Sequence, residues 1–174
     1  MGAEMTVRPA VTMAEALAFA RVETGEEEAL LAGLVRTATA LCEGFVGQAL
    51  IARGFVEMVP ASVNWQRLAQ GPVRVIDVVE RVAADGSVTA LMPSQYEIDI
   101  DSRGDGWVRS NVDGRLRVGG AVGLAQDEND VPEPIRQGIL RLVAHLYATR
   151  DGPGGEPPAA VTALWRPFRK MRLA

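Results

Sequence analysis

The stretch Glu28-Ala29-Leu30-Leu31-Ala32-Gly33-Leu34-Val35-Arg36-Thr37-Ala38-Thr39-Ala40-Leu41-Cys42-Glu43-Gly44-Phe45-Val46 carries its apolar side chains at three- and four-residue steps. Leu30, Leu31, Leu34, Val35, Ala38, Leu41, Cys42, Phe45 and Val46 therefore share one stripe of a helix. Just upstream, Thr24-Gly25-Glu26-Glu27 has the form of a capping box, with Thr24 at the N-cap and Glu27 at N3. Glu26, Glu27 and Glu28 then fall in the first turn, where the positive helix end favours carboxylates. The spacing predicts a long helix over 25–48. Thr12-Met13-Ala14-Glu15 repeats the box signature and predicts a short helix over 13–22.

Beyond Gly54 the period shortens to two. Phe55 to Val59 alternates toward Pro60, and Val73 to Val82 is dense in β-branched residues, is broken by Ala84-Asp85-Gly86-Ser87 and resumes at Val88-Thr89-Ala90-Leu91. That pattern predicts a β-hairpin. Tyr96 to Ile100, Trp107-Val108 and Leu116 to Val118 add short strands punctuated by Gly104, Gly106 and Gly114, so a small antiparallel sheet is expected over about 55–122. Val131-Pro132-Glu133-Pro134 then opens a third helix over 133–149, with Ile135, Ile139, Leu142, Val143, Leu146 and Tyr147 on its buried face. Asp151 to Pro158 reads as a linker, and Ala159 to Leu164 as a last short helix. The expected class is α+β: mainly a helical bundle, with an inserted small antiparallel sheet or hairpin and an extended C-terminal tail. The expected division is a body over 1–158 and a short helix with tail over 159–174.

The 174 residues include one His, His145, and one Cys, Cys42. One of each builds no intrachain disulfide, Cys/His zinc site or iron–sulfur cluster. His145 lies one step off an apolar stripe and Cys42 lies on one, so both read as packing residues rather than as a general base and a nucleophile. Asp99-Ile100-Asp101-Ser102-Arg103-Gly104-Asp105 has a superficial calcium-loop look but puts Arg103 at the fifth position and Ser110 at the twelfth, so it reads as a solvated turn. Gly152-Pro153-Gly154-Gly155 lacks the preceding strand and the following Lys of a phosphate-binding loop and reads as a hinge. No signal-like segment opens the sequence and the apolar runs are short of a membrane span, which is the pattern of a soluble, unexported chain.

The formal net charge of −4 is unevenly spread. Residues 161–174 hold Arg166, Arg169, Lys170 and Arg172 and no acid, interleaved with Trp165, Phe168, Met171 and Leu173. Two readings fit: a docking peptide that orders on an acidic partner, and a segment whose aromatics fold back on the parent helices. On the first, removing 161–174 is expected to leave a folded body.

The ordered set of these segments resembles the head-tail connector (adaptor) proteins of long-tailed bacteriophages and of gene transfer agents. The resemblance is carried by Val11-Thr12-Met13-Ala14-Glu15-Ala16, Glu28 to Val35 running on through Ala40 to Leu50, and Gly71-Pro72-Val73. It continues through Tyr96-Glu97-Ile98-Asp99, Asp130 to Leu140 with Ala144-His145-Leu146-Tyr147, and Ala160 to Arg169. It covers about residues 11–170. Where the family often has an aromatic before the Val-Pro helix, this chain has Gly119-Gly120-Ala121-Val122-Gly123-Leu124.

The resemblance implies a non-enzymatic virion structural protein without cofactor or metal, placed at the neck of a virion or virus-like particle after assembly in the host cytoplasm. Its implied partners are further copies of itself in a ring of commonly about twelve, the portal protein, and a stopper or tail-completion protein. Double-stranded DNA would pass through the channel without specific binding, and no membrane is involved. About twelve copies at −4 would sum to roughly −48, a wall along which DNA slides unheld. Trp165, Arg166, Phe168, Arg169 and Lys170 are the residues expected to bind the portal. The alternatives are a generic intracellular interaction module and a small enzyme using carboxylates such as Asp99 and Asp101.

Overall fold

A computed structural model describes residues 7–23, 25, 27–150 and 157–170. The described residues divide into two compact units, one of residues 52–124 and one that combines those before residue 52 with those after residue 124. The first is built of strands and the second of helices, so the fold is mixed α+β. Strand takes a larger share than a mainly helical bundle would give it, because the inserted segment builds two sheets rather than one.

In the strand unit, β1 (Arg53–Pro60), β7 (Arg115–Val122), β3 (Val73–Val82) and β4 (Val88–Ala90) lie side by side in that order, all antiparallel. A second sheet sets β2 (Gln66–Arg67), β6 (Gly106–Ser110) and β5 (Tyr96–Ile100) in the order β2-β6-β5. The expected hairpin is β3 and β4. Two features escape a simple period of two. In β3 the register shifts between Val73 and Val75 and again between Ile76 and Val78, so Val73, Ile76 and Val79 are buried at intervals of three while Val75 and Val78 face outward. In β5 the clean alternation of Tyr96 to Ile100 buries nothing fully, because the strand sits at a sheet edge beside β6 alone. The Gly119 to Val122 stretch is part of β7, not loop. Gly120 is required there: a Cβ would stand 2.9 Å from the Val75 carbonyl carbon and closer still to its oxygen.

In the helical unit, α1 (Met13–Ala20), α2 (Glu28–Val46), α3 (Glu133–Ala148) and α4 (Ala159–Trp165) pack around α3. The Thr12 capping box is formed: its hydroxyl accepts from the Glu15 amide at 3.2 Å, and the Glu15 carboxylate accepts from the Thr12 amide at 2.9 Å. The second expected box turns on Thr24, which lies outside the described residues. α2 starts at Glu28 with Glu27 as N-cap and no side-chain cap bond, since the Glu27 carboxylate accepts from the Tyr147 hydroxyl and lies 3.5 Å from Arg150. Glu26 lies outside the described residues too, as do residues 151–156 of the expected linker. Leu31, Val35, Ala38, Cys42 and Val46 of the α2 stripe are buried, whereas Leu30 and Leu41 are exposed.

Glu15 also pairs with Arg136 of α3, whose guanidinium lies 3.6 Å from Glu133. Burial works to raise the Glu15 carboxyl, but the bonds from Thr12 and the Arg136 charge outweigh it and hold the group below its ordinary 4.5. A depressed folded-state pKa adds stability above pH 4.5 that is lost as pH falls through the folded value. Glu15→Gln keeps a capping-box acceptor and removes only the charge. It is expected to lower stability by about 0.5–1 kcal/mol near neutrality, with the difference from wild type closing on acidification. Urea unfolding across acid pH checks this; a constant difference would refute the charge assignment.

Candidate docking site at the C-terminal end of the helical unit

Residues 157–170 are packed against α3 and α2 rather than extended. Pro158 caps α4, and a 3-10 turn over Arg166–Phe168 continues it. Trp165, expected as a partner contact, is fully buried. Its Nε1 donates to the Ile135 carbonyl at 3.2 Å, and its ring stands at 53° to that of Phe45 with 5.9 Å between centroids. α3 admits the indole only because residue 138 is glycine, where a Cβ would lie 2.9 Å from Trp165 Cδ1 and Cε2 and nearer still to Nε1. Gly138, which the spacing of the α3 stripe does not mark, is buried where this ring docks.

Two further bonds stitch the segment to the end of α2, and a third closes its own turn. Gln48 Nε2 donates to the Phe168 carbonyl at 2.6 Å, and the Lys170 amide donates to the Val46 carbonyl at 2.9 Å, satisfying an acceptor that helix geometry leaves open. The Arg169 amide donates to the Arg166 carbonyl at 3.2 Å. The Arg169 guanidinium sits over the Phe45 ring, 5.5 Å from its centroid, so Phe45 lies between Trp165 and Arg169. Arg166 and Arg169 are exposed, and Phe168 and Lys170 half-buried. Arg169 and Lys170 lie at the C-terminal, negative end of the α2 dipole. The arrangement is a basic patch fixed by backbone bonds and an aromatic anchor, able to give charge-assisted bonds to carboxylates. Met171 to Ala174 lie outside the described residues. Gln48 and Gly138 are the parts of this site that sequence reasoning missed; neither carries a charge or periodicity that marks it.

The other candidates resolve into structure. Burial pushes the Cys42 thiol well above its ordinary range, with the Glu43 charge adding to the effect, so no thiolate is available at neutral pH. His145 is half-buried on α3. Asp101 Oδ1 accepts from the amides of Arg103 and Asp105, each at 2.9 Å, which is the expected turn; Asp99 is exposed on β5 opposite Trp107. A cleft of about 510 Å³ lies beside Val63, Tyr96 and Ser110, and the Glu97 and Arg109 that line it pair with each other at 2.7 Å. Among the described residues no group of three His, Cys, Asp or Glu side chains is placed to hold a metal ion. Residues 152–155 of the glycine-rich hinge lie outside the described residues.

No protein-family model and no curated protein matches the chain. Solved structures do. A chain in the neck of an empty gene transfer agent (GTA) particle, computed with C6 symmetry, is 26% identical with a TM-score of 0.78, over 100% of this chain and 95% of that one. A chain of the native GTA virion is 25% identical with a TM-score of 0.77, over 99% of this chain and 96% of that one. A third, from the native GTA neck computed with C12 symmetry, matches in fold at 24% identity and a TM-score of 0.74, over 100% of this chain and 97% of that one. The connector resemblance carried by the sequence is thereby borne out.

Proposed function

We propose that this chain, similar over nearly all of its residues to chains of gene transfer agent necks, is a non-enzymatic connector. It forms a ring beneath the capsid portal, extends the DNA channel and joins the head to stopper or tail proteins. The observation that carries this reading is the match to a neck chain over nearly the whole of both chains at a TM-score of 0.78. The chemistry agrees: the cleft acid is spent on Arg109, the thiol is buried, and Asp101 holds a turn. A net charge of −4 per copy suits a channel that DNA must traverse without stable phosphate contacts.

Portal attachment is assigned to the C-terminal segment with its residues divided by role. Trp165 and Phe168 fix the segment to the helical unit, and Arg166, Arg169 and Lys170 present charge to an acidic partner. Repetition around a ring converts one weak contact into firm attachment. Electron microscopy of particles carrying a fusion-tagged chain is expected to place the tag at the head-tail junction, and loss of the chain is expected to leave DNA-filled heads without tails. A tag found elsewhere, or tailed particles assembled without the chain, would refute the reading.

A further inference from the structure

We infer that the outward face of α2 is a contact that seats a second copy of this chain; the inference rests on the ring reading above. α2 buries Leu31, Val35, Ala38, Thr39, Cys42 and Val46 within its own unit. The opposite side is nearly as apolar. At 100° per residue, Leu30, Gly33, Thr37, Ala40, Leu41 and Gly44 fall within an arc of about 100°, and Leu30 and Leu41 are 42% and 44% exposed. A helix with apolar faces on two opposite sides calls for a packing partner on each, and this one has an interior on one side only.

The glycines supply an independent observation. Glycine weakens a helix interior relative to alanine, so its presence calls for a reason. Gly138 has one in the Trp165 ring. Gly44 has none among the described residues, because a Cβ there meets nothing within 4 Å, and at Gly33 it meets only the tip of Arg36 at 3.9 Å. A surface that approaches the α2 backbone from outside accounts for both glycines, with Leu30 and Leu41 as the apolar contacts beside them.

A second copy is the occupant the observations favour. The neck relatives were solved with C6 and C12 symmetry, and a closed ring requires every copy to meet its neighbours through two different patches of the same sequence. Arg36 borders this face, placed to pair with a carboxylate of the second copy. A membrane is the competing occupant, since α2 is long and apolar enough by composition to span one. Its other face, however, is packed in the protein core, and Glu43 on that helix accepts from the Leu50 amide at 2.7 Å.

Native mass spectrometry and negative-stain microscopy of the full chain at rising concentration test this. Wild type is expected to form rings, and Leu41→Arg and Gly44→Leu to lower the ring population by about tenfold or more while melting within about 2 °C of wild type. The Gly33→Ala/Gly44→Ala double variant guards against misfolding: it is expected to melt higher than wild type and assemble less. Undiminished rings in Leu41→Arg and Gly44→Leu overturn the α2 assignment and leave the ring reading standing. A wild type that stays monomeric throughout overturns the ring reading and this inference with it. Flotation of the chain with phosphatidylglycerol vesicles in place of ring formation overturns the second copy in favour of a membrane.

Discussion

Trp165→Ala is expected to remove about 3–5 kcal/mol of stability, the ordinary cost of deleting a fully buried aromatic, and to lower the melting temperature by roughly 10 °C or more. The loss has three sources: the indole volume, its contact with Phe45, and the bond from Nε1 to the Ile135 carbonyl. Removing residues 161–174 takes out Val161 as well, so the truncation that the sequence suggests would leave a folded body instead strips part of the core. Gly138 sharpens the test through coupling. Gly138→Ala in the wild type drives a Cβ into the indole, an overpacking cost of about 1–3 kcal/mol set against about 1 kcal/mol gained in helix propensity. In the Trp165→Ala background the clash is gone and the propensity gain remains, so the same substitution should turn stabilising. Denaturant unfolding of the four proteins of that cycle measures the coupling. Additive effects would mean that the indole and residue 138 do not share the space assigned to them.

That coupling also marks the limit of what the sequence could convey. The Thr12 box, the α3 start at the prolines and the β3-β4 hairpin are local signals read within a few residues of chain, and each stands where its spacing puts it. Glu27, read from its neighbours as a helix-start residue, accepts instead from Tyr147, a residue 120 positions away. β-Branched density marked β3 as a strand but not which of its residues are buried, because its two register shifts and the close approach of Val75 to Gly120 depend on β7, far along the chain. The C-terminal aromatics were read as candidates for exposure because the cavity that receives Trp165 is the absence of a side chain, and a glycine advertises nothing in a sequence. The identity of the basic residues was legible, but their rigid placement was not, since it depends on Gln48, Phe45 and the Val46 carbonyl at the end of another helix.

A patch held this way separates attachment from folding, and that separation is the second large effect to expect. Arg166→Glu, Arg169→Glu and Lys170→Glu together leave the Trp165 anchor and the backbone bonds of Phe168 and Lys170 in place. The cost to folding is expected to stay near 1 kcal/mol, chiefly the Arg169 stacking on Phe45. Each reversed charge is worth about 0.5–1 kcal/mol at an exposed contact. Three per copy, repeated around a ring, multiply into near-complete loss of incorporation into portal-containing particles. Single reversals should give graded losses whose gap from wild type narrows as ionic strength rises, because screening weakens the charge contacts of both alike. Trp165→Ala would reduce incorporation too, but together with melting temperature. The triple variant should lose it with melting little changed, a combination that a purely structural segment does not produce. Sedimentation of particles from cells making the triple variant, probed for the chain, decides the matter: normal incorporation would show that the cations do not hold the portal and that attachment lies on another face.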